Sequence, residues 1–172
     1  MTDYAGAVVD AAAKLPPPVA LVGWSMGGLA ALMAAELVHP ACIVLLEASP
    51  PREAQGLDPL VEVTDGTYDG EIAYGPFPSG VRARLESARA RSERKRGISV
   101  PRLACPSLVV TGAEFDAERG DVIARLYGSE RLRFPDLDHW GLVLDPRVPA
   151  AVDEFLTSLP EGRSRPPART GL

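Results

Sequence analysis

The sequence predicts an α/β fold: a three-layer sandwich around a mostly parallel sheet. Strand-length runs at residues 19–22, 42–46, 107–112 and 131–134 alternate with helical segments at residues 3–15, 29–38, 80–96, 116–127 and 146–159. That alternation builds parallel strand–helix–strand units with helices on both faces of the sheet. The first three runs are almost wholly apolar instead of alternating, as strands buried on both faces read. A glycine-flanked serine stands between the first strand and its helix, where a tight turn is needed.

The first helix is rich in Ala, Val and Leu, has Thr2 or Asp3 to cap its start, and ends at Pro16-Pro17-Pro18. Strand 19–22 runs into Gly23-Trp24-Ser25-Met26-Gly27-Gly28. Helix 29–38 stops at His39-Pro40, and strand 42–46 ends at Glu47. From residue 48 to 79, Pro, Gly, Asp and Tyr interrupt every period, which predicts loops with short elements. Residues 80–96 are helical by propensity and carry Arg82, Arg84, Arg89, Arg91, Arg94, Lys95 and Arg96, partly offset by Glu86 and Glu93; this reads as a solvated face over binding of an anionic substrate or nucleic acid. Helix 116–127 is broken at Gly128, a shorter fourth strand follows, and 146–159 is the last helix. One domain is expected over residues 1–160, with a small insert at 48–100 and a flexible tail at 161–172.

Of the 172 residues, 46% are hydrophobic, so a folded core is expected. The net charge of −5, from 23 acidic and 18 basic residues, argues against broad phosphate-backbone binding, and no nucleic-acid partner is expected. No run of about 18 apolar residues exists, and no basic leader with an apolar core is visible, so no membrane span and a cytoplasmic location are expected. Cys42 and Cys105 each open an apolar run and read as small buried hydrophobes. No His or Cys pair has ligand spacing, and Gly27-Gly28 lacks the Lys-Ser/Thr of a phosphate loop, so neither metal nor cofactor is expected.

Gly23-x-Ser25-x-Gly27 in strand–turn–helix context predicts a strained turn that presents the Ser25 hydroxyl at the head of a helix. Glycines on either side leave room where side chains would clash, Gly28 lets the helix pack close to the sheet, and the helix amides favour developing negative charge. A serine hydroxyl needs a base. His39 lies at the far end of the following helix, about 20 Å away, and reads as a helix C-terminal residue. His139 lies in the loop after the last strand, on the sheet edge where parallel strands end, and can meet Ser25. A carboxylate must orient the imidazole. Asp116 follows the third strand and leads, Glu114 is a close rival, and Glu47, ending the second strand, is a third candidate. Asp136 and Asp138 are too local to His139.

The order Ser25, Asp116, His139 is similar to that of the α/β-hydrolase family. The resemblance runs from about residue 3 to residue 158 and rests on VALVGWSMGG, LVVTGAEFD and LDHWG. It implies Ser25 as nucleophile, His139 as base, Asp116 as acid, and Met26 as donor of a backbone N–H to the oxyanion hole. Asp116 stands four residues after Gly112, where three is the familiar spacing, which keeps Glu114 and Glu47 open. Residues 48 to about 100 fall where the family carries its cap. Trp24 and Trp140 flank nucleophile and base, and either line an acyl pocket or pack. Tyr68, Tyr74 and Phe77 are candidates to touch substrate.

The family has strands before the elbow strand, whereas residues 1–18 leave room for one helix, so the fold expected is a reduced one lacking the N-terminal strands. The segment that supplies the second oxyanion N–H has no counterpart upstream. The elbow strand would then expose an apolar edge, which predicts a homodimer that buries it, contact with another chain, or a shortened form of a longer hydrolase. The expected activity is that of an esterase or thioesterase on a small acyl substrate. The alternative is a catalytically weak, hydrolase-like binding or oligomerisation protein.

Overall fold

Four strands form a parallel sheet in chain order: β1 (Ala20–Trp24), β2 (Cys42–Leu46), β3 (Ser107–Thr111) and β4 (Glu130–Arg133). The computed structural model describes residues 1–54, 77–80 and 86–160. Expectations for Tyr68, Tyr74, Arg82, Arg84 and the tail lie outside the described residues. Ala20 pairs with Cys42, Ile43 with Ser107, and Leu108 with Glu130.

β2 and β3 are buried at every position, as their unbroken apolar runs require. Their side chains divide by alternation. Cys42, Val44, Leu46, Leu108 and Val110 face one layer with Leu142, Val148, Val152 and Phe155. Ile43, Leu45 and Val109 face the other with Leu32, Ala31, Ile123 and Ala124. Each fully buried aliphatic side chain contributes about 1.5–3 kcal/mol relative to an exposed one. The two layers are made by α5 (Gly141–Leu144) and α6 (Arg147–Ser158) on one face, and by α2 (Met26–Val38) and α4 (Val122–Tyr127) on the other. α1 (Thr2–Ala12) packs on α2 and β1, and α3 (Ala88–Arg96) joins Met1, Leu29 and Ala30 through Ala90.

Several boundaries differ from expectation for identifiable reasons. α1 begins at Thr2, so Thr2 and Asp3 lie inside its first turn; the cap position is Met1, with no side-chain bond. α3 starts at Ala88, where Ser87 Oγ caps it by accepting from Ala90 N at 3.1 Å; residues 81–85 of the helix expected from residue 80 lie outside the described residues. The segment 116–127 splits into a wide turn, Asp116–Asp121, and α4.

The two edges of the sheet contrast. β4 carries Glu130, Arg131 and Arg133 and is largely exposed. β1 is uncharged, and Val22 in its middle is 53% exposed. Among the described residues β1 pairs only with β2, and a groove of about 480 Å³ runs along its open side between Tyr4, Val8, Leu15, Val22 and Met26. Cys42 and Cys105 are free; Cys42 is buried and Cys105 half-buried, and burial pushes the Cys105 thiol up to about 11. No helix among the described residues is long and apolar enough to cross a membrane.

Candidate active site

Ser25 joins β1 to α2 with φ 54° and ψ −124°, a conformation side chains rarely adopt. Bonds from both sides hold it there. Its N–H donates to Leu46 O at 3.0 Å, continuing the β1–β2 ladder. Its carbonyl accepts from Gly28 N at 3.1 Å and Ser49 N at 2.8 Å. The turn is tight where β1 meets α2: a Cβ on Gly23 would fall 2.5 Å from Gly28 Cα, and one on Gly28 would fall 2.3 Å from Ala48 Cβ. The equivalent Cβ on Gly27 meets nothing within 4 Å among the described residues. The crowded positions are therefore Gly23 and Gly28, as expected for each, whereas Gly27, expected to relieve a clash beside Ser25, has open space. Met26 is the first residue of α2, so its amide stands at the positive end of a 13-residue helix.

His139 reaches the same sheet edge from the loop after β4. Its Nδ1 lies 2.6 Å from Glu47 Oε2. An ionised carboxylate only accepts, so in that pairing Nδ1 is the donor. Glu47 is fully buried, has φ 41°, and follows directly on β2. Its second oxygen, Oε1, accepts from Gly112 N at 2.7 Å, and its carbonyl accepts from Arg119 Nη1 at 3.2 Å. A carboxylate removed from water survives only with such partners. Among the described residues no hydrogen bond joins Ser25 Oγ to His139. The link between them runs through Trp24, whose ring lies 4.6 Å from the imidazole at 30° and whose Nε1–H donates to His139 O at 3.0 Å.

Asp116, expected to orient the base, makes its contacts away from His139, whose Nδ1 faces Glu47 instead. Asp116 Oδ1 accepts from Thr111 Oγ1 at 2.6 Å and from Arg131, and Oδ2 lies 3.3 Å from Arg133 Nε. The Arg131 guanidinium, with the Thr111 hydroxyl second, holds this carboxyl below the usual aspartate range. The spacing explains the loss. The position three residues after Gly112 is Phe115, whose ring meets the His139 ring edge-on at 5.6 Å. One residue further, Asp116 has turned toward β4. Glu114 is exposed. Asp136 pairs with Arg147, and Asp138 accepts from Gly141 N. His39 caps the C-terminus of α2 with φ 50°.

Trp140 packs on Trp24 at 4.8 Å, and Phe77 meets Trp140 edge-on at 5.4 Å. Phe115, Arg119 and Gly112 are the residues that sequence reasoning missed. Arg119 lies 4.0 Å over the Phe115 ring. Gly112 belongs to the strand-end pattern LVVTG, but its N–H bond to Glu47 spans 65 positions, and no local pattern carries it.

The model of the alpha/beta hydrolase family matches residues 1–169. No curated protein matches the sequence. Among solved structures, ClbQ from the colibactin NRPS/PKS pathway superposes with a TM-score of 0.60 at 18% identity, over 90% of this chain and 76% of that one. A thermophilic esterase gives 0.58 at 16% identity, over 91% and 73%. A lipase-esterase related protein from Clostridium acetobutylicum gives 0.55 at 16%, over 91% and 74%. These likenesses concern the fold. With the family model spanning nearly the whole chain, the protein belongs to the alpha/beta hydrolase family.

Proposed function

We propose that the protein is a serine hydrolase of esterase or thioesterase type, acting on a small acyl compound with Ser25 as nucleophile, His139 as base and Glu47 as the orienting carboxylate. The observation that carries this reading is the buried Glu47 carboxylate on His139 Nδ1, beside a strained serine at the head of α2. In this reading Ser25 Oγ attacks the carbonyl carbon while His139 Nε2 takes its proton. The Met26 amide faces the resulting oxyanion. The intermediate collapses, and the leaving alkoxide or thiolate takes the proton back from His139. Water, deprotonated by the same nitrogen, then releases the acid and restores Ser25.

A fluorophosphonate probe tests the nucleophile. It is expected to label the intact protein and to leave Ser25→Ala unlabelled. Folded protein that resists the probe would favour the second reading, a hydrolase-like binding protein. Glu47→Gln is expected to lower kcat by about 10³–10⁴-fold, because an amide donating to Nδ1 forces the wrong tautomer. Esters and thioesters of short acids, compared by kcat/KM, would assign the leaving group.

The same reading extends to partners. Besides the acyl substrate, it assigns the open edge of β1 to a second copy of the chain. Two-fold pairing would set Val22 and the flanking apolar groove against the same residues of the partner.

A further inference from the structure

Residue 24 fills a position of the elbow motif that the turn itself leaves open to any side chain, yet in this chain it makes two separate contacts with the base. Its indole Nε1–H donates to the backbone carbonyl of His139 at 3.0 Å. Its ring lies 4.6 Å from the imidazole with a 30° tilt. Trp24 adjoins Ser25 in the chain, so one side chain joins the base to the residue preceding the nucleophile.

Glu47 bonds a single imidazole atom, Nδ1. One hydrogen bond leaves the ring free to pivot about the axis through that bond, and it does not set how far the loop stands from the elbow. The loop is anchored on β3 by Phe134 N to Thr111 O at 2.8 Å and just past β3 by Ala113 N to Leu137 O at 2.7 Å. Both bonds lie two or more residues before His139 and on the far side of β2 from Ser25. Trp24 supplies the missing constraint: a backbone bond that sets the height of the loop above β1, and a ring face that stops the pivot. The Phe115 ring also meets the imidazole, edge-on at 5.6 Å. The imidazole is thus held by a carboxylate and by two aromatic rings.

We propose that Trp24 is a positioning residue that holds His139 in register with Ser25, through its indole N–H as well as its ring. The proposal rests on the serine-hydrolase reading for its kinetic consequence, but the placement of the histidine is measurable without turnover. Phe retains a ring and lacks the donor. Benzothienylalanine retains the indole shape and replaces N–H with sulfur, so it removes the hydrogen bond alone. A misplacement of the base by a fraction of an ångström to 1 Å is expected to cost up to about 10²-fold in rate.

The experiment compares Trp24→Phe, Trp24→Leu and benzothienylalanine at position 24 with the unaltered protein, using a short-chain thioester or ester as substrate. The expected result is a kcat lowered by about 10- to 100-fold in the benzothienylalanine and Phe proteins, with KM within a factor of two and the melting temperature nearly unchanged. A pocket-lining role would raise KM instead, and a packing role would lower the melting temperature while benzothienylalanine kept full kcat; either result overturns the proposal. The second arm uses NMR on the Ser25→Ala background. Only His39 and His139 contribute histidine signals. Trp24→Phe is expected to shift and broaden the His139 ring resonances while those of His39 stay in place. Unmoved His139 resonances also overturn the proposal. A protein that the fluorophosphonate leaves unlabelled, yet whose His139 responds to Trp24, would refute the hydrolase reading and leave the clamp intact.

Discussion

Two carboxylates near the end of the sheet have opposite fates, and their surroundings account for both. Glu47 is fully buried and divides its oxygens between the His139 ring and the Gly112 amide. Asp116 is spent on Thr111, Arg131 and Arg133, a cluster that ties β3 to β4. Asp116→Asn is therefore expected to leave kcat within about two-fold while costing about 1 kcal/mol of stability at pH 7. The pH dependence has a definite sign. The folded carboxyl lies below its ordinary value of about 3.9, so its stabilisation is full above that value and fades as pH falls through the lower folded pKa. Thermal melts of the two proteins should differ at pH 7 and converge near about pH 2. Convergence already at pH 6, or a loss of activity matching that of Glu47→Gln, would refute this division of roles.

At the scale of the element, the elbow is a contact between a strand and a helix. β1 and α2 approach so closely that Gly23 abuts the Gly28 backbone, and Gly28 abuts Ala48 beyond β2. Gly23→Ala must push α2 away or distort the strand, an overpacking that costs about 1–3 kcal/mol and displaces Ser25. Gly27→Ala is expected to fold normally. It sits in the first turn of α2 with open space around its Cβ and should gain up to about 1 kcal/mol from lower chain entropy. Melting curves and probe labelling of the two variants check this: Gly23→Ala loses both stability and labelling, and Gly27→Ala keeps both. An equal loss in each would mean that the motif glycines act alike. The wide turn at Asp116–Asp121 is a second case of packing deciding local form. A helical sequence begins there, yet its first residues are held by Thr111, Arg131 and the Glu47 carbonyl.

At the scale of the molecule, the sheet has, among the described residues, one guarded edge and one open edge. β4 presents charged side chains, the usual protection of an edge strand. β1 presents Val22 and an apolar groove. Pairing of this edge with a second copy predicts a dimer by light scattering at micromolar concentration, and Val22→Lys should shift it to monomer without abolishing labelling at Ser25. Monomeric unaltered protein would refute the pairing. The insert expected at residues 48–100 lies largely outside the described residues. Its one described aromatic, Phe77, meets Trp140 beside the candidate site.

The chain by itself determined the α/β class, the four strands, the elbow serine and the histidine of the last loop. Each is written in neighbouring residues: an unbroken apolar run for a strand buried on both faces, glycines around a serine for a strained turn. Chain order alone also brings Ser25 and His139 to one edge, because parallel strands all end on the same side. Which carboxylate partners His139 was beyond local reading. Asp116, Glu114 and Glu47 all follow strands, and every one of them is a carboxylate near the right edge. The tertiary structure sets Glu47, buried at the end of β2, against the His139 ring, turns Asp116 to the arginines of β4, and sets Phe115 against the imidazole. The same holds for Trp24. Its hydrogen bond to His139 spans 115 positions, and a contact of that range exists only once the sheet has assembled.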